Sequence, residues 1–550
     1  MGAERNWHMA NIWESVAQVI PESEAVVFED QRLTWKSYEN QAASIAQVFV
    51  DHHLKPDAKV SIYSYNSIEY LVAQFAAFKA RLCPINVNYR YLETELAHVI
   101  NNSDSQAIVF QAAFAPRLEA IRDQLSNIKL FLEIDDGSGE HLKGAVAYEA
   151  MLEKTSPMPV IERFDEDIYM LYTGGTTGLP KAVMYDHKTF SKSLVTKAMA
   201  LRGLPAPEFP DEIGPIIADL AAEGMLPRSI PACPLMHGTG MWVGVVIPHF
   251  LGGTAILFDN KRFDADAFLT LIEGEKGQEV VIVGDVFAKP IANALSAAKA
   301  SGEPYDVSSL KMVNSSGVMF SSGAKKAILE HMDVIIFDSM GSTEGSIGIS
   351  IASRATIDSD QTAKFQLSPT SRVFTEDGRE IEPGSGQAGL LCNGGMVPIG
   401  YYKDKAKSAE TFKVFDGVRY SVPGDYARLE ADGTITLLGR GSSCINSGGE
   451  KIYPEEVEEA VKSHPAVYDC LVVAVPDDKF GECVAAMISM NSGETMDAKS
   501  IKAHVRQLLA DYKAPRHYIV TPTVPRADNG KADYKSAREV CLQKLEVSAG

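Results

Sequence analysis

Between Leu33 and Leu130, helical patterns such as Ser37 to Val50 and Ile68 to Ala80 alternate with short apolar runs such as Val60 to Tyr63 and Ala107 to Phe110. Alternation of that kind leaves few architectures open. Each strand must bury its faces against helices, which makes an α/β layer fold. A second series runs from about Thr254 to Phe337. Strands are expected at Thr254 to Phe258, Val280 to Val283 and Val334 to Phe337, with helices at Phe268 to Glu273 and Lys325 to His331. Two α/β units are therefore expected. The proline-rich stretch Leu204 to Pro234 reads as an excursion around a short helix, Ile216 to Ala222, and not as a domain. From Gln366, short strands punctuated by Gly384-Ser-Gly386, Asp416-Gly417, Gly424-Asp425 and Asp432-Gly433 indicate a β-rich segment. After Arg440 to Gly449 come a helix (Pro454 to Ser463), two strands (Asp469 to Val475 and Cys483 to Ser489) and a further helix (Ala498 to Ala510), a compact α+β unit.

A chain of 550 residues exceeds what one hydrophobic core supports, so at least two domains are expected. The net charge of -20 excludes a sequence-independent nucleic-acid binder, which needs a basic surface to displace counterions. Seven cysteines without a Cys-x-x-Cys pair read as reduced thiols in a cytoplasmic protein. Met1 to Trp13 lacks the apolar core of a signal peptide, and no Ser or Thr at position 6 supports myristoylation. Gly240 to Phe258 carries no Lys, Arg, Asp or Glu, but Pro248, His249 and Gly252-Gly253 interrupt it. It reads as a buried helix, a turn and a buried strand, since a membrane span needs about 20 apolar residues in a row.

The chemistry is concentrated in Tyr172 to Lys181, which reads Tyr-Thr-Gly-Gly-Thr-Thr-Gly-Leu-Pro-Lys and follows the apolar run Ile168 to Leu171. Gly174, Gly175 and Gly178 let backbone N–H groups converge on an anion, while Thr173, Thr176, Thr177 and Lys181 add donors. The common nucleotide loop places Lys directly after Gly and Ser or Thr directly after Lys. Here Leu179 and Pro180 precede Lys181 and Ala182 follows it, so a different phosphate chemistry is indicated. A flexible surface turn has the same composition, and the loop alone leaves both readings open.

The loop shares the chain with Asp338-Ser-Met-Gly-Ser-Thr343-Glu344-Gly345, Gly424-Asp425, Gly439-Arg440, Ser447-Gly-Gly-Glu-Lys-Ile-Tyr-Pro-Glu-Glu456 and Asn529-Gly530-Lys531. In this order the motifs resemble the adenylate-forming superfamily of acyl-CoA synthetases, adenylation domains and luciferases, over about Ile12 to Glu539. Their wording is most similar to fatty-acid and steroid side-chain acyl-CoA ligases. The resemblance implies an N-terminal AMP-binding domain (1–440) of two α/β units plus a β-rich subdomain, a hinge (441–447) and a small mobile α+β C-terminal domain (448–550). It also implies ATP, magnesium and coenzyme A as cofactors, a hydrophobic carboxylic acid as substrate, and no nucleic-acid partner or stable membrane insertion. Homodimers are common among such relatives.

Site residues follow by the same resemblance. The loop Thr173 to Lys181 would cradle the leaving pyrophosphate, Glu344 would bind magnesium, and Thr343 would touch a nucleotide phosphate. Asp425 would accept the ribose hydroxyls with Arg440 in support, as an ionised carboxylate offers acceptors to a diol. Ser316 and Gly317, and Asp338, Ser339, Met340 and Gly341, would line the adenine pocket, with Val283 to Phe287 beside the acyl group. Ser447, Gly448 and Gly449 would approach the pantetheine arm. Lys531 would bridge the attacking carboxylate and the adenylate, and His237 would border the acyl carboxylate. A lone histidine beside an apolar helix is as readily a structural residue, and apolar wall residues as readily ordinary core. Three positions depart from the pattern: Met340 where many relatives place Tyr, Ser442 where the hinge usually has Asp or Lys, and Ala182 where Gly is usual. Two other readings remain at this point. One is an enzyme of the same scaffold that loads a carrier protein or oxidises a luciferin-like acid, and the other is a non-catalytic adenylate binder.

Overall fold

The computed structural model describes residues 6–173, 179–259, 261–318, 320–357, 364–440, 444–447, 450–477, 480–527 and 530–549. Both expected α/β units are present. The first is a five-stranded parallel sheet in which Cys83–Asn86 forms one edge, followed by Lys59–Tyr63, Ser105–Gln111, Leu130–Ile134 and Val146–Ala147. Helices Trp35–Asp51 and Ile68–Lys79 begin where Thr34 and Ser67 accept a backbone N–H from the first turn, the capping that these residue types provide.

The second unit belongs to a fifteen-stranded sheet. Its parallel part runs Glu24–Phe28, Thr254–Leu257, Arg228–Pro231, Glu279–Ile282, Met312–Ser316, Ile335–Ser342. The strand Gly345–Ala352 then turns back antiparallel and carries the sheet into the β-rich segment through Phe365–Leu367, Thr434–Arg440 and Asp425–Leu429. Glu24–Phe28 precedes the first unit in sequence yet pairs with Thr254–Leu257 of the second. Long-range pairing of this kind leaves no mark in local periodicity.

A three-stranded sheet, Gly400–Tyr401, Lys181–Asp186, Ile168–Thr173, stands between the two large ones. The uncharged stretch after Gly240 is buried, as expected: a π-helix over Thr239–Val246, a short turn of helix and the strand Thr254–Leu257. Gly240 is required there, because a Cβ would fall on the carbonyl of Pro234. No helix among the described residues is long and apolar enough to cross a membrane.

Residues from Ile445 onward build their own sheet: Glu450–Ile452, Ile445–Ser447, Gly481–Met490 and Val467–Asp477, with His517–Val520 parallel to Gly481–Met490. Two apolar clusters, one around Val457, Val472 and Val505 and the other around Leu471, Met487 and Cys541, draw only on residues beyond 444. Of the expected hinge, residues 441–443, Ser442 among them, lie outside the described residues.

Candidate active site

The glycine-threonine loop joins two antiparallel strands whose last pair is Thr173 with Lys181. Tyr169 to Tyr172 are buried, which fixes the leading strand against the core. Gly174, Gly175, Thr176, Thr177 and Gly178 lie outside the described residues. The ends of the loop are tied down: the Tyr172 hydroxyl donates to Asn102 Oδ1 at 2.7 Å, and Pro180 O lies 3.1 Å from His98 Nε2, both on the helix Glu93–Asn102. Lys181 Nζ sits 2.7 Å from Asp404 Oδ2. The Lys181 ammonium, then the Lys407 backbone N–H, hold the Asp404 carboxyl below its ordinary value.

The strand that carries Lys181 also organises the acidic residue. Tyr185, four positions on, donates from its hydroxyl to the Thr343 carbonyl at 2.6 Å, and Tyr401 on the neighbouring strand donates to Glu344 Oε1 at 2.8 Å. Lys181 Nζ lies 6.0 Å from the centre of the Tyr401 ring. Lysine, tyrosine and glutamate therefore cluster, the ammonium over the phenol ring and the carboxylate on its hydroxyl.

The residues expected beside adenine come from two adjacent parallel strands in which Ser316 is the register partner of Ser339. Gly317 follows Ser316 at the strand end, and Gly341 sits at an irregularity in the pairing just after Met340. Met340 is half-buried and packs on the core around Ile347, Leu391 and Ile435. Asp338 is different. Its carboxylate meets Lys325 Nζ at 2.7 Å, and both side chains are 4% exposed. Burial raises its carboxyl while the Lys325 ammonium opposes, and the pair braces the wall from behind.

Asp425 and Arg440 are register partners on adjacent antiparallel strands, so one pairing places both positions together. Gly439 packs against the Glu455 carboxylate of the C-terminal unit. Ser447 ends a strand and pairs with Glu450 and Gly481, while Gly448 and Gly449 lie outside the described residues.

His237 is half-buried, with its backbone N–H donating to the Pro234 carbonyl at 3.2 Å. Its Nε2 is enclosed and has no hydrogen-bond partner among the described residues. Burial first, then the charges of Lys531 and Arg90, push the imidazole down to about 4, so it is neutral at pH 7. The charges acting on the imidazole thus include one from the C-terminal unit, that of Lys531, 294 positions away in sequence. The Lys531 loop docks on the helix Gly284–Ser301: Gly530, at φ +79°, packs on Val286, and Lys289 Nζ donates to the Tyr468 carbonyl at 2.5 Å.

Sequence reasoning did not single out Asn86, Tyr185, Tyr401 or Asp404. The Asn86 side chain accepts the Tyr172 N–H at 2.7 Å and donates to the Tyr172 and Met236 carbonyls at 2.9 and 2.7 Å. The one available signal was an amide ending the buried run Cys83-Pro-Ile-Asn86, since a buried amide must find partners.

A five-stranded parallel unit, a large mixed sheet and a separate α+β unit make up the architecture of an adenylate-forming fold. The anthranilate CoA ligase AuaEII, solved in complex with anthranoyl-AMP, matches with a TM-score of 0.82 at 20% identity, covering 99% of each chain. ATP-bound MatB from Rhodopseudomonas palustris matches at 0.75 and 21% identity, over 96% of this chain and 98% of MatB. Residues 13–402 match the AMP-binding enzyme family and 456–531 its C-terminal domain, and the chain belongs to that family. A medium/long-chain-fatty-acid–CoA/3-oxocholest-4-en-26-oate–CoA ligase of Mycolicibacterium smegmatis is 38% identical over 545 residues, 98% of this chain and 97% of the relative. The 3-oxocholest-4-en-26-oate–CoA ligase of Rhodococcus rhodochrous is also 38% identical, over 97% of this chain and 95% of its own length.

Proposed function

We propose that this enzyme is an ATP-dependent acid–thiol ligase that converts a hydrophobic carboxylic acid to its CoA thioester, releasing AMP and pyrophosphate. The observation that carries the reading is the pair of ties Tyr401–Glu344 and Asp404–Lys181, which set a carboxylate and an ammonium around one tyrosine ring beside the glycine-threonine loop, with Gly530, next to Lys531, packed on Val286 of the helix Gly284–Ser301. In the first half-reaction a carboxylate oxygen attacks the α-phosphorus of ATP, the bond to the β-phosphate oxygen breaks, and acyl-AMP forms. The carboxylate and the triphosphate repel each other. Lys531 pairs with both and so holds them in line for attack. Charge that grows on pyrophosphate meets Lys181, already oriented by Asp404, and the donors of Thr173 to Gly178. Neutral His237 sets the edge of the acyl channel without adding a charge. Asp425 and Arg440 hold the ribose, Ser316 to Gly317 and Ser339 to Gly341 wall the adenine with the Asp338 carboxylate buried against Lys325 behind them, and Thr343 contacts a nucleotide phosphate.

Glu344 fits magnesium: it is one hard carboxylate, held by Tyr401, and magnesium favours one or two carboxylates plus phosphate oxygens. Bound there, the ion would neutralise charge on the phosphates. In the second half-reaction the CoA thiolate attacks the acyl carbonyl and AMP leaves. For this the C-terminal domain (448–550) turns about the 441–447 hinge against the body of 1–440, withdrawing Lys531 and bringing Ser447 to Gly449 toward the pantetheine. The free cysteines of the chain and the use of ATP and CoA suit the cytoplasm.

For the acid, the names of the M. smegmatis and R. rhodochrous relatives favour a medium- or long-chain fatty acid or a steroid side-chain acid. The buried apolar π-helix beside His237 supports a bulky hydrocarbon. A panel from acetate through C8 to C18 acids, benzoate and a C26 steroid acid, assayed with ATP, magnesium and CoA, tests this. The reading predicts thioester with C8 or longer acids or the steroid acid, and loss of turnover with a magnesium chelator. Turnover confined to acetate or benzoate would contradict the substrate class, and thioester on carrier protein but never on CoA would contradict the ligase.

A further inference from the structure

Two sheet edges meet behind the site with no ladder between them. Cys83–Asn86 is the edge strand of the five-stranded sheet, and Ile168–Thr173 is the edge of the three-stranded one. The Asn86 side chain bridges them. Its carboxamide, in a residue 9% exposed, presents the same donor and acceptor pair as a peptide group and closes a two-bond ring with Tyr172, the residue before the phosphate-loop threonine. Its second N–H reaches the carbonyl of Met236, the residue before His237. The orientation is fixed by its partners: exchanging oxygen and nitrogen would set an NH₂ against the Tyr172 N–H and an oxygen against two carbonyls. The segment leading to His237 is held from its other side by Asn66, whose Oδ1 accepts the Leu235 N–H at 2.8 Å. Trp242, five residues beyond His237, also reaches the strand into the phosphate loop by donating to the Tyr169 hydroxyl at 2.9 Å, but Asn86 is the side chain that holds the residue next to Thr173 and the residue next to His237 at once.

We propose that Asn86 is a positioning residue that couples the ATP half of the site to the acid half, fixing Tyr172, near the end of the strand that leads into the phosphate loop, and the His237 segment relative to one another through one buried carboxamide. The naming of the halves rests on the ligase reading above, whereas the coupling itself does not. Aspartate is isosteric with asparagine and distinguishes coupling from packing. In Asn86→Asp the ionised carboxylate keeps the bond from Tyr172 N–H but turns a negative oxygen toward the Tyr172 and Met236 carbonyls. Once protonated, the same side chain regains one donor. Burial among carbonyls favours the protonated form, so the variant should be repaired by acid.

The test compares wild type, Asn86→Asp and Asn86→Ser in two measurements. The first is acid-dependent pyrophosphate exchange from pH 6 to pH 8, expressed relative to wild type at each pH. The second is amide hydrogen exchange of peptides covering Tyr172 and Met236–His237. A misplacement of about an ångström costs about a hundredfold in rate. Asn86→Asp should therefore stay within a few-fold of wild type at pH 6 and fall about a hundredfold by pH 8, with both peptides loosening together. Asn86→Ser should be low, and both peptides loose, at every pH. An activity ratio that does not change with pH, loosening of one peptide only, or loosening of the whole chain to the same degree would overturn the proposal. If wild type exchanges pyrophosphate with no acid at all, the ligase reading falls, and the hydrogen-exchange arm still decides whether Asn86 couples the two segments.

Discussion

Glu344 would be an ordinary half-exposed carboxylate but for Tyr401, whose hydroxyl holds one of its oxygens at 2.8 Å. A hydrogen bond to a charged group contributes about 1.5–3 kcal/mol, so Tyr401→Phe should lower pyrophosphate exchange by about tenfold or more. The same variant should raise the magnesium concentration needed for half-maximal rate and leave the unfolding midpoint nearly unchanged. Unaltered magnesium dependence would remove Tyr401 from the site. Glu344, Lys181 and Lys531 were the residues the sequence could single out, because each sits in a short run of unusual composition and the runs follow a known order. Tyr401 and Asp404 were not, since Gly-Tyr-Tyr-Lys-Asp is unremarkable as a string. Their partners Glu344 and Lys181 lie 57 and 223 positions away. Asn86 shows the same limit, because its meaning depends on which strand comes to lie beside it.

Among the elements, the helices and strands with strong periodicity appear within a few residues of where the sequence places them, Ile68–Lys79 and Gly481–Met490 among them. The helix Met9–Val19 was not read, and its anchorage explains why. Its cap, His8, stacks on His187 with ring centres 3.8 Å apart, and His187 Nδ1 accepts the Met9 N–H. Buried Arg163 joins the helix through both oxygens of Glu14. These contacts with residues 163–187 supply what local pattern does not.

Burial above all holds His8 well below its ordinary value, with the His187, Arg163 and Arg81 charges adding to it. His187 is pushed down to about 3 by burial, Asp167 opposing, and His249 to about 4 by burial. The sign follows directly. Near pH 6.5 the unfolded chain takes up protons that these folded imidazoles refuse, so stability is complete above that pH and falls as pH drops toward 4. Each histidine removes up to about 1.4 kcal/mol per pH unit. Urea midpoints should decline from pH 7 to pH 5, before most carboxylates titrate, and a flat profile over that range would contradict the account.

At the scale of the molecule, the C-terminal unit makes contacts with the helix Gly284–Ser301 and with the strand Thr434–Arg440, where Gly439 meets Glu455. Lys289 makes one of them, donating to the Tyr468 carbonyl while its ammonium lies 4.6 Å from the ring centre. Gly530, next to Lys531, packs on Val286 of the same helix, and under the proposed function this docked arrangement is the adenylating one. Lys289→Ala removes a docking contact of about 1 kcal/mol from that arrangement, along with a pair to Asp285 one turn back on the same helix. Pyrophosphate exchange should fall by about fivefold, while thioester formation from supplied acyl-AMP and CoA is unchanged or faster. Equal loss of both would make Lys289 a general stabilising residue. The division into body and C-terminal unit was legible from composition near 440–449, but the docking face was not, because it depends on two surfaces that meet only in the folded chain.

The central claim is that Lys531 directs adenylation and has no part in the attack of the thiol. Lys531→Ala, assayed for acid-dependent pyrophosphate exchange and separately for thioester formation from synthetic acyl-AMP and CoA, tests it most directly. The account predicts that exchange falls by about a hundredfold or more while thioester formation persists near the wild-type rate. Loss of both half-reactions to the same degree, or retention of both, would contradict it.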